Sequence, residues 1–311
     1  MDDKIESSFK FIRSVIPDAC NRMNTFSSKI LRTRGGRIGS GMGALLEALW
    51  GYMMNQILIE FQSGYEIAWF PDNQYNDFAC LLKNTEWNIR TRSGEMFRIE
   101  AKSMNIEADE SKAHFDVIKK ELEDYDSLLI LVWEWKPIDQ FYYSPTVRDF
   151  FFDRSIPITQ LRDELHLARN GSFVNKNHCP DFCLPANCSH EGEPLNASGK
   201  RERISGPEAT RPSPRVSYAA NFGGLVRMLK TDNDRARAVF RRVRKMSPTA
   251  HSYISFIFRN YQDEERNQYT TSEIKKVASS LGISTFGLDK DGILAEIRRV
   301  KDYEELFRDL L

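Results

Sequence analysis

The fold of this chain is decided by residues 76–105, NDFACLLKNTEWNIRTRSGEMFRIEAKSMN. Two apolar runs flank a polar turn, a pattern that predicts a buried β-hairpin. Because side chains alternate faces along a strand, Glu100 and Lys102 are expected on one face, with Ala101 turned into the core. If the two strands pair, Asp77 lies beside them. Two carboxylates and an ammonium would then meet at one edge of a sheet.

This grouping suits metal-assisted hydrolysis of a phosphodiester. Mg²⁺ takes one or two carboxylates together with substrate phosphate oxygens, and it keeps several waters. Asp77 and Glu100 would supply the carboxylates, with the carbonyl of Ala101 as a further ligand. Lys102 would orient the attacking water or help to deprotonate it, and would offset charge developing on the phosphate. The alternative is a solvated strand end that carries an ion pair.

Asp77, followed by the Glu-Ala-Lys run at 100–102, resembles the motif of the PD-(D/E)xK nucleases, above all the type II restriction endonucleases. The proline of that motif is absent, and a literal Pro-Asp at 71–72 offers another first carboxylate. Asp77 is preferred because it leads directly into an apolar strand, whereas 71–72 is typical of a turn. The resemblance implies Mg²⁺-dependent, site-specific cleavage of double-stranded DNA by a homodimer, with Asp77 and Glu100 holding the metal.

The order of the predicted elements agrees with that family. A nearly all-apolar helix at 44–61, expected to be buried, precedes the hairpin, and an amphipathic helix follows at 107–125. The apolar run 127–135 is typical of a central strand. We therefore expect an α/β protein whose restriction-endonuclease-like core is a mixed central sheet flanked by helices. Glu47 resembles a helix carboxylate of the family's metal cluster, although a buried glutamate paired with an arginine is the alternative.

The N-terminal region contributes helical and basic segments. Residues 4–31 have helical periodicity, with a break predicted at Pro17-Asp18, and a glycine-rich basic segment follows at 32–43. No Gly-Lys-Ser/Thr ends that segment and no strand precedes it, which excludes a P-loop NTPase. One interpretation is a flexible loop. The other is that a DNA phosphate is held by backbone amides and three arginines, Arg32, Arg34 and Arg37.

A second constellation, 178–190, reads HCPDFCLPANCSH and holds three thiols and two imidazoles. Thiolates and imidazoles are the ligands of structural zinc sites, and a tetrahedral Cys₃His site needs four donors from a short loop. The predicted zinc ligands are Cys179, Cys183, Cys188 and His190. His178 is the alternate imidazole, and unligated reduced cysteines are the other interpretation. We expect a zinc-stapled segment that has little apolar core of its own.

Beyond that cluster the charge distribution changes. Between residues 200 and 246 the chain has thirteen Lys and Arg against four Asp and Glu, although the whole protein is neutral. The segment offers a surface to a polyanion, unless it is merely a solvated basic face. Its first part is a Pro/Ser/Gly-rich arm whose arginines could also read guanine edges. The DNA-binding candidates in this arm are Lys200, Arg201, Arg203, Arg211 and Arg215.

Length and composition set the outer limits. The 311 residues suffice for one large or two modest domains, and five cysteines, three of them clustered, fit a reducing compartment. With no long apolar run and no signal pattern, we expect a cytoplasmic protein without a membrane partner. The predicted parts are an N-terminal helical segment (1–38), a nuclease core (39–175), a zinc-stapled, basic, mostly helical recognition region (176–262) and a helical C-terminal segment (263–311).

The sequence thus predicts a Mg²⁺-dependent type II DNA endonuclease with a structural zinc. One alternative is a non-catalytic, zinc-stabilised DNA-binding protein, and another is a repair or RNA nuclease of the same fold. The helices after residue 271 resemble, weakly, a SAP-type DNA-binding motif, and a packing or dimerisation pair is equally consistent with them.

Overall fold

The structure is a computed structural model that describes residues 2–34, 41–70, 76–107, 114–195, 199, 222–226, 228, 234–260 and 271–300. The chain forms two compact units, Met1–Ile156 and Pro157–Leu311. The carboxylates and the lysine of the predicted active site belong to the first unit, and the cysteine cluster belongs to the second. The finer division into four parts stays a prediction.

The first unit is built on a mixed five-stranded sheet in the order β1-β2-β3-β4-β5. Its strands are β1 (Tyr65–Trp69), β2 (Phe78–Leu82), β3 (Glu95–Asn105), β4 (Ser127–Pro137) and β5 (Tyr143–Arg154). β3 and β4 run parallel, and the other neighbouring strands run antiparallel. The predicted α/β class with a mixed sheet is therefore confirmed, as is the β2–β3 hairpin, and β4 is an interior strand between β3 and β5.

Two long helices, α1 (Asp2–Ile30) and α2 (Met42–Glu60), pack against the sheet. The apolar stripe of α1 is buried in a common core with Trp50 of α2 and with Phe78, Ile99 and Phe152 of the sheet. The predicted break at Pro17 is wrong, since α1 continues through it. Pro17 lies on the exposed side of the helix, where water can bind the carbonyl that loses its helical partner.

The α2 helix is not buried all round, contrary to expectation. Its core face includes Trp50, Met54 and Leu58, whereas Tyr52 and Ile59 are exposed on the opposite side. A single sheet face covers only one side of a helix, so apolar composition alone did not determine how much of α2 is covered.

The prediction of an amphipathic helix at 107–125 is also wrong for the residues described there. From 114 to 125 the chain has no α-helix and only one short 3₁₀ turn, Lys119–Glu121. Phe115 and Val117 are both buried. Two buried side chains two positions apart suit extended chain rather than a helix of 3.6 residues per turn. The described part of the connection between the parallel strands β3 and β4 is therefore mostly non-helical.

Both outer strands of the sheet are protected by asparagine side chains from the helices. Asn55 of α2 donates to the carbonyl of Ile67 at 2.7 Å and accepts from its N–H at 2.7 Å. Asn24 of α1 makes the same pair of bonds to Val147 at 2.8 Å each. Each amide satisfies the N–H and C=O of one residue as a neighbouring strand would, which disfavours pairing with another chain at that position.

The described part of the second unit is mainly helical. Its elements are α3 (Ser155–Ala168, which begins at the end of the first unit), β6 (Ser172–Phe173), β7 (Pro194–Leu195), α4 (Asp234–Met246), α5 (Pro248–Asn260), α6 (Thr271–Ser280) and α7 (Lys290–Val300). His166 of α3 joins the small β6–β7 sheet, because its Nε2 lies 3.1 Å and 2.9 Å from the carbonyl oxygens of Ser172 and Leu195. Burial lowers the pKa of His166, so the neutral imidazole is favoured. None of the described helices is long and apolar enough to span a membrane.

We expect Asn55→Ala to lower the free energy of unfolding by about 1–3 kcal/mol, because it leaves the N–H and C=O of Ile67 unpaired. The matched control is Gln56→Ala, which changes the next, exposed residue of α2 and should stay within about 0.5 kcal/mol of the wild type. Urea unfolding measures both changes. Equal midpoints for the two variants would show that the amide does not stabilise the edge of β1.

Candidate active site and metal centre

Four predicted site residues are brought together in the first unit. Glu47 comes from α2, Asp77 is the residue before β2, and Glu100 and Lys102 come from β3. Lys102 Nζ lies 2.6 Å from Glu100 Oε1 and 3.9 Å from Asp77 Oδ2. Glu47 is close enough that the charges of Lys102 and Asp77 both affect its pKa. The side chains that lie far apart in sequence therefore share one site.

Asp77 is positioned by the backbone of β3. Its N–H donates to the carbonyl of Ile99 at 3.1 Å, and its Oδ2 accepts the N–H of Ala101 at 2.8 Å. The β2–β3 ladder ends at Ile99, so the Asp77 carboxylate takes over as the acceptor for the next N–H of β3. The side chain is still 40% exposed, and the site is open to solvent on that side.

Glu100 is a buried carboxylate with one free oxygen. Oε1 forms the ion pair with Lys102, whereas Oε2 is buried and has no hydrogen-bond partner. Burial raises the pKa of Glu100 to about 7; Lys102 opposes this shift, and the negative charges of Asp77 and Glu47 add to it. A buried oxygen without a partner is uncommon in proteins and calls for an explanation, such as a bound ion.

Glu47 completes the cluster from the helix side. Burial raises its pKa to about 7, and Lys102 and two hydrogen bonds from Ser103 oppose this shift. Lys102 is the cation that most strongly opposes the raised pKa of Glu47. Three carboxylates therefore share one ammonium, and the local charge favours a further cation.

Lys102 remains the protonated member of the cluster. Burial by itself lowers its pKa, but the negative charges of Glu100 and Asp77 outweigh burial, and the net effect is a raised pKa. Lys102 is therefore held as a cation between two carboxylates. It is better suited to orient a water or to neutralise negative charge than to remove a proton.

Ser103 and Gly43, which the sequence analysis missed, set the position of Glu47. Ser103 donates to Glu47 from both its hydroxyl and its N–H. Gly43, in the first turn of α2, lies so close that a Cβ there would be 2.2 Å from Ser103 Oγ. The missing side chain lets the helix approach β3. In the sequence, the glycine-rich segment at 32–43 could have pointed to this close contact. Such a segment indicates a loop just as readily.

Of the predicted DNA-binding residues, only some lie in the described part of the chain. Arg34 is exposed, and its guanidinium carbon lies 5.7 Å from the ring centroid of Phe141. The remaining candidates lie outside the described residues: Arg37, Lys200, Arg201, Arg203, Arg211 and Arg215. In the basic helix α4, Arg241 and Arg242 form ion pairs with Glu273 and Glu164. Part of the positive charge of α4 is thus neutralised within the second unit.

The predicted cysteine cluster is present in the second unit. One ligand atom from each residue can be chosen so that all four lie within 4.8 Å of one another, and the set is Cys179, Cys183, Cys188 and His190. His190 Nδ1 lies 3.4 Å and 3.3 Å from the sulfurs of Cys179 and Cys183. His178 is not part of this set. Of the two imidazoles, His190 is therefore the one placed to bind an ion.

The chemistry of this cluster suits zinc. Burial raises the pKa of Cys179, but hydrogen bonds from the Asp181 N–H and from His190 outweigh it and bring the pKa to about 7. A lowered pKa favours the thiolate, which is the metal-binding form. Among the described residues, the buried apolar cluster at this place consists of Val174, Cys179 and Leu195, with Cys183 and Cys188 packed against it. A metal could therefore stabilise a segment that has little core of its own.

The two clusters differ in geometry. Among the described residues, the thiol cluster is the one group of three or more His, Cys, Asp and Glu donors whose ligand atoms all come within 4.8 Å. The carboxylates of Glu47, Asp77 and Glu100 are more widely spaced, with Lys102 between two of them. The thiol cluster is a closed, four-donor arrangement, whereas the carboxylate cluster is open.

We expect His190→Asn to release bound zinc, because it removes the one imidazole within reach of the three thiols. His178→Asn is the matched control and should retain zinc. Elemental analysis of the purified variants measures about one zinc per chain in the control and substantially less in His190→Asn. Equal zinc content in both variants, or none in the wild type, would contradict the site.

We expect Gly43→Ala to destabilise the protein by about 1–2 kcal/mol, because the new Cβ displaces the Ser103 hydroxyl from Glu47. Gly41→Ala is the control, since a Cβ at Gly41 meets nothing within 4 Å. Its stability should be unchanged or slightly higher. Adding Ser103→Ala to Gly43→Ala should recover part of the loss. If urea unfolding shows that the double variant is no more stable than Gly43→Ala, the proposed clash is excluded.

The chain was also compared with known protein families and with curated proteins. No family model matches it, and no curated protein matches it either. The case for a function therefore depends on the geometry of the two clusters.

Proposed function

We propose that this protein is a Mg²⁺-dependent nuclease that hydrolyses phosphodiester bonds in double-stranded DNA at specific sites, as a type II restriction endonuclease does. The observation that carries the proposal is the buried Glu100 Oε2 without a hydrogen-bond partner, next to an exposed Asp77 and a paired Lys102. The mixed sheet, with the motif residues at the start of β2 and on β3, supports a restriction-endonuclease-like core.

The cluster fits a hard divalent cation. Three carboxylates face one ammonium, and Glu100 has an oxygen free to accept a ligand bond. Mg²⁺ takes one or two carboxylates and keeps several waters, so it does not require all three carboxylates to reach it. Asp77 and Glu100 would hold the ion, with the carbonyl of Ala101 as a further ligand and Glu47 nearby.

Each side chain has a defined part in this chemistry. When bound, Mg²⁺ supplies positive charge to the phosphate and makes a water more acidic. The Asp77 carboxylate is held in place by the N–H of Ala101 at 2.8 Å, which limits its rotation. Lys102, kept protonated by Glu100 and Asp77, orients the attacking water and neutralises charge that develops on the phosphate oxygens. Ser103 keeps Glu47 directed toward the cluster.

The second unit contributes stability and affinity in this proposal. A structural zinc held by the Cys₃His cluster stabilises the segment between α3 and the basic arm. The arm and α4 then bind the DNA backbone, and base contacts select the sequence. The enzyme acts in the cytoplasm as a homodimer, because two antiparallel strands require two equivalent active sites.

A second candidate is a zinc-stabilised DNA-binding protein that does not cleave. The observation in its favour is that the closed donor cluster is formed by thiols and an imidazole, and not by the carboxylates. In this case the pair between Lys102 and Glu100 would be a structural ion pair. A repair or RNA nuclease of the same fold would share the active site and differ in substrate.

We expect the purified chain to produce discrete bands from phage DNA with Mg²⁺ and none without it. Lys102→Met and Asp77→Asn should each lower the cleavage rate by about 100-fold or more, as the loss of one positioned charge or dipole does elsewhere. Glu66→Gln, on the outer strand β1, is a control that should cleave normally. Binding of the same DNA is measured in parallel by gel shift.

Two outcomes would contradict the nuclease. One is DNA binding with no cleavage in Mg²⁺ or Mn²⁺, which favours the non-catalytic protein. The other is normal cleavage by Lys102→Met and Asp77→Asn, which excludes this active site. Cleavage of RNA or of single strands in preference to duplex DNA would keep the site and change the substrate.

A further inference from the structure

The tip of the β4–β5 hairpin is joined to the chain that follows α1. Thr33 donates to the carbonyl of Tyr143 at 2.9 Å and accepts from its N–H at 2.8 Å. In an extended pairing of this kind, the residues on either side of the paired one project to the same side. Arg32 and Arg34 therefore share one side of the hairpin tip. We call Arg32, Arg34, Phe141 and Tyr142 the hairpin platform.

Aromatic rings lie beneath the two arginines of the platform. The guanidinium carbon of Arg32 is 4.3 Å from the ring centroid of Tyr142. That of Arg34 is 5.7 Å from Phe141 and 5.9 Å from Tyr142. The Phe141 residue is 56% exposed, although it is large and apolar. The platform therefore presents an uncovered aromatic ring beside a guanidinium.

Asp139 holds the platform in this conformation. Its Oδ1 accepts the N–H groups of Phe141 and Tyr142 at 2.8 Å and 2.9 Å, and its Oδ2 accepts a bond from Arg32 at 3.0 Å. The bonds from the two N–H groups lower the pKa of Asp139, with Arg32 adding to the effect, so the carboxylate stays ionised. An ordered loop loses less entropy when a ligand binds.

The platform also has unbalanced charge. Asp139 pairs with Arg32, whereas Arg34 makes no ion pair with any residue in the described part of the chain. A ligand that matches this surface needs an anion for Arg34 and a flat face for Phe141. A nucleotide has both, since a phosphate binds a guanidinium and every base can stack on an aromatic ring.

The platform and the carboxylate cluster lie in the same unit, and β4 connects them. Lys102 is in register with Ile130 of β4, and Pro137 at the end of β4 is seven residues further along. At about 3.3 Å per residue, this separation is roughly 23 Å. That is about the rise of seven base pairs at 3.4 Å each. One DNA substrate could therefore reach both places.

We propose that the hairpin platform binds an unpaired nucleotide of the substrate, with Arg34 on its phosphate and Phe141 stacked on its base. The inference rests on the proposed nuclease function for the identity of the ligand as nucleic acid. In a paired duplex the base faces are already stacked, so the nucleotide must come from a single-stranded segment or be extruded from the duplex.

The test measures binding and does not require cleavage. The full-length chain is titrated, without added Mg²⁺, against fluorescein-labelled oligothymidylate and against a paired duplex that contains one 2-aminopurine. We expect Phe141→Ala to weaken binding of the single strand by about 5- to 100-fold, the usual effect of losing one stacked base. Phe141→Trp should restore it. Phe61→Ala is the control, because Phe61 is equally exposed, at 60%, but belongs to the end of α2.

Arg34 is tested through the salt dependence of binding. Arg34→Gln should weaken binding of the single strand and lower the slope of log K against log salt by about 0.7, the value for one phosphate contact on a single strand. Arg90→Gln, which changes an exposed arginine in the β2–β3 turn, should leave the slope unchanged.

The duplex identifies the source of the nucleotide. If 2-aminopurine fluorescence rises when the wild-type protein binds the duplex, and Phe141→Ala changes that rise, the nucleotide is a base extruded from the duplex. If Phe141→Ala weakens binding of oligothymidylate and not of the duplex, the nucleotide belongs to a single-stranded segment. If Phe141→Ala binds both ligands as tightly as Phe61→Ala, the proposal is overturned. Weakened binding in a protein that does not cleave would reject the nuclease and retain the platform.

Discussion

One hydrogen bond sets the arrangement of the carboxylate cluster in the first unit: the N–H of Ala101 donates to the Asp77 carboxylate at 2.8 Å. It forms just before β2 begins, where the β2–β3 ladder stops at Ile99 and β3 continues, so a side chain takes the role of the missing strand. The same contact holds Asp77 next to Glu100 and Lys102, which flank Ala101 on β3. A carboxylate that completes a β-ladder cannot move freely, and this restraint suits a group that must hold an ion in a fixed place.

Unpaired positions along the strands of the sheet are satisfied by polar side chains. Asn55 and Asn24 each satisfy one residue of an outer strand, Ile67 and Val147, with a side-chain amide. The inner edge of β3 beyond Ile99 is instead left to Asp77 and its neighbours. An unpaired edge buried without partners is costly, and here polar side chains replace the absent strand. The candidate active site therefore lies at an interruption of the sheet that the surrounding structure supports.

The two clusters contain groups whose pKa values are shifted in opposite directions. Glu100 and Glu47 have raised pKa values because they are buried, share one ammonium and repel each other, which leaves a site that is short of positive charge. Cys179 has a lowered pKa because hydrogen bonds stabilise its thiolate, which prepares a soft ligand. In the proposed function, the hard oxygens of the open cluster would hold a catalytic ion, and the soft sulfurs of the closed cluster would hold a structural one.

The sequence by itself determined the local patterns: the β2–β3 hairpin, the alternation that puts Glu100 and Lys102 on one face, and the four donors of the Cys₃His cluster. Each depends on spacing within a short segment, where strand alternation and loop length limit the geometry. Only the tertiary structure decided that Ser103 and Gly43 set the position of Glu47, or that the described chain before β4 is mostly non-helical. Such features depend on contacts between residues far apart in the chain, and no local periodicity encodes them.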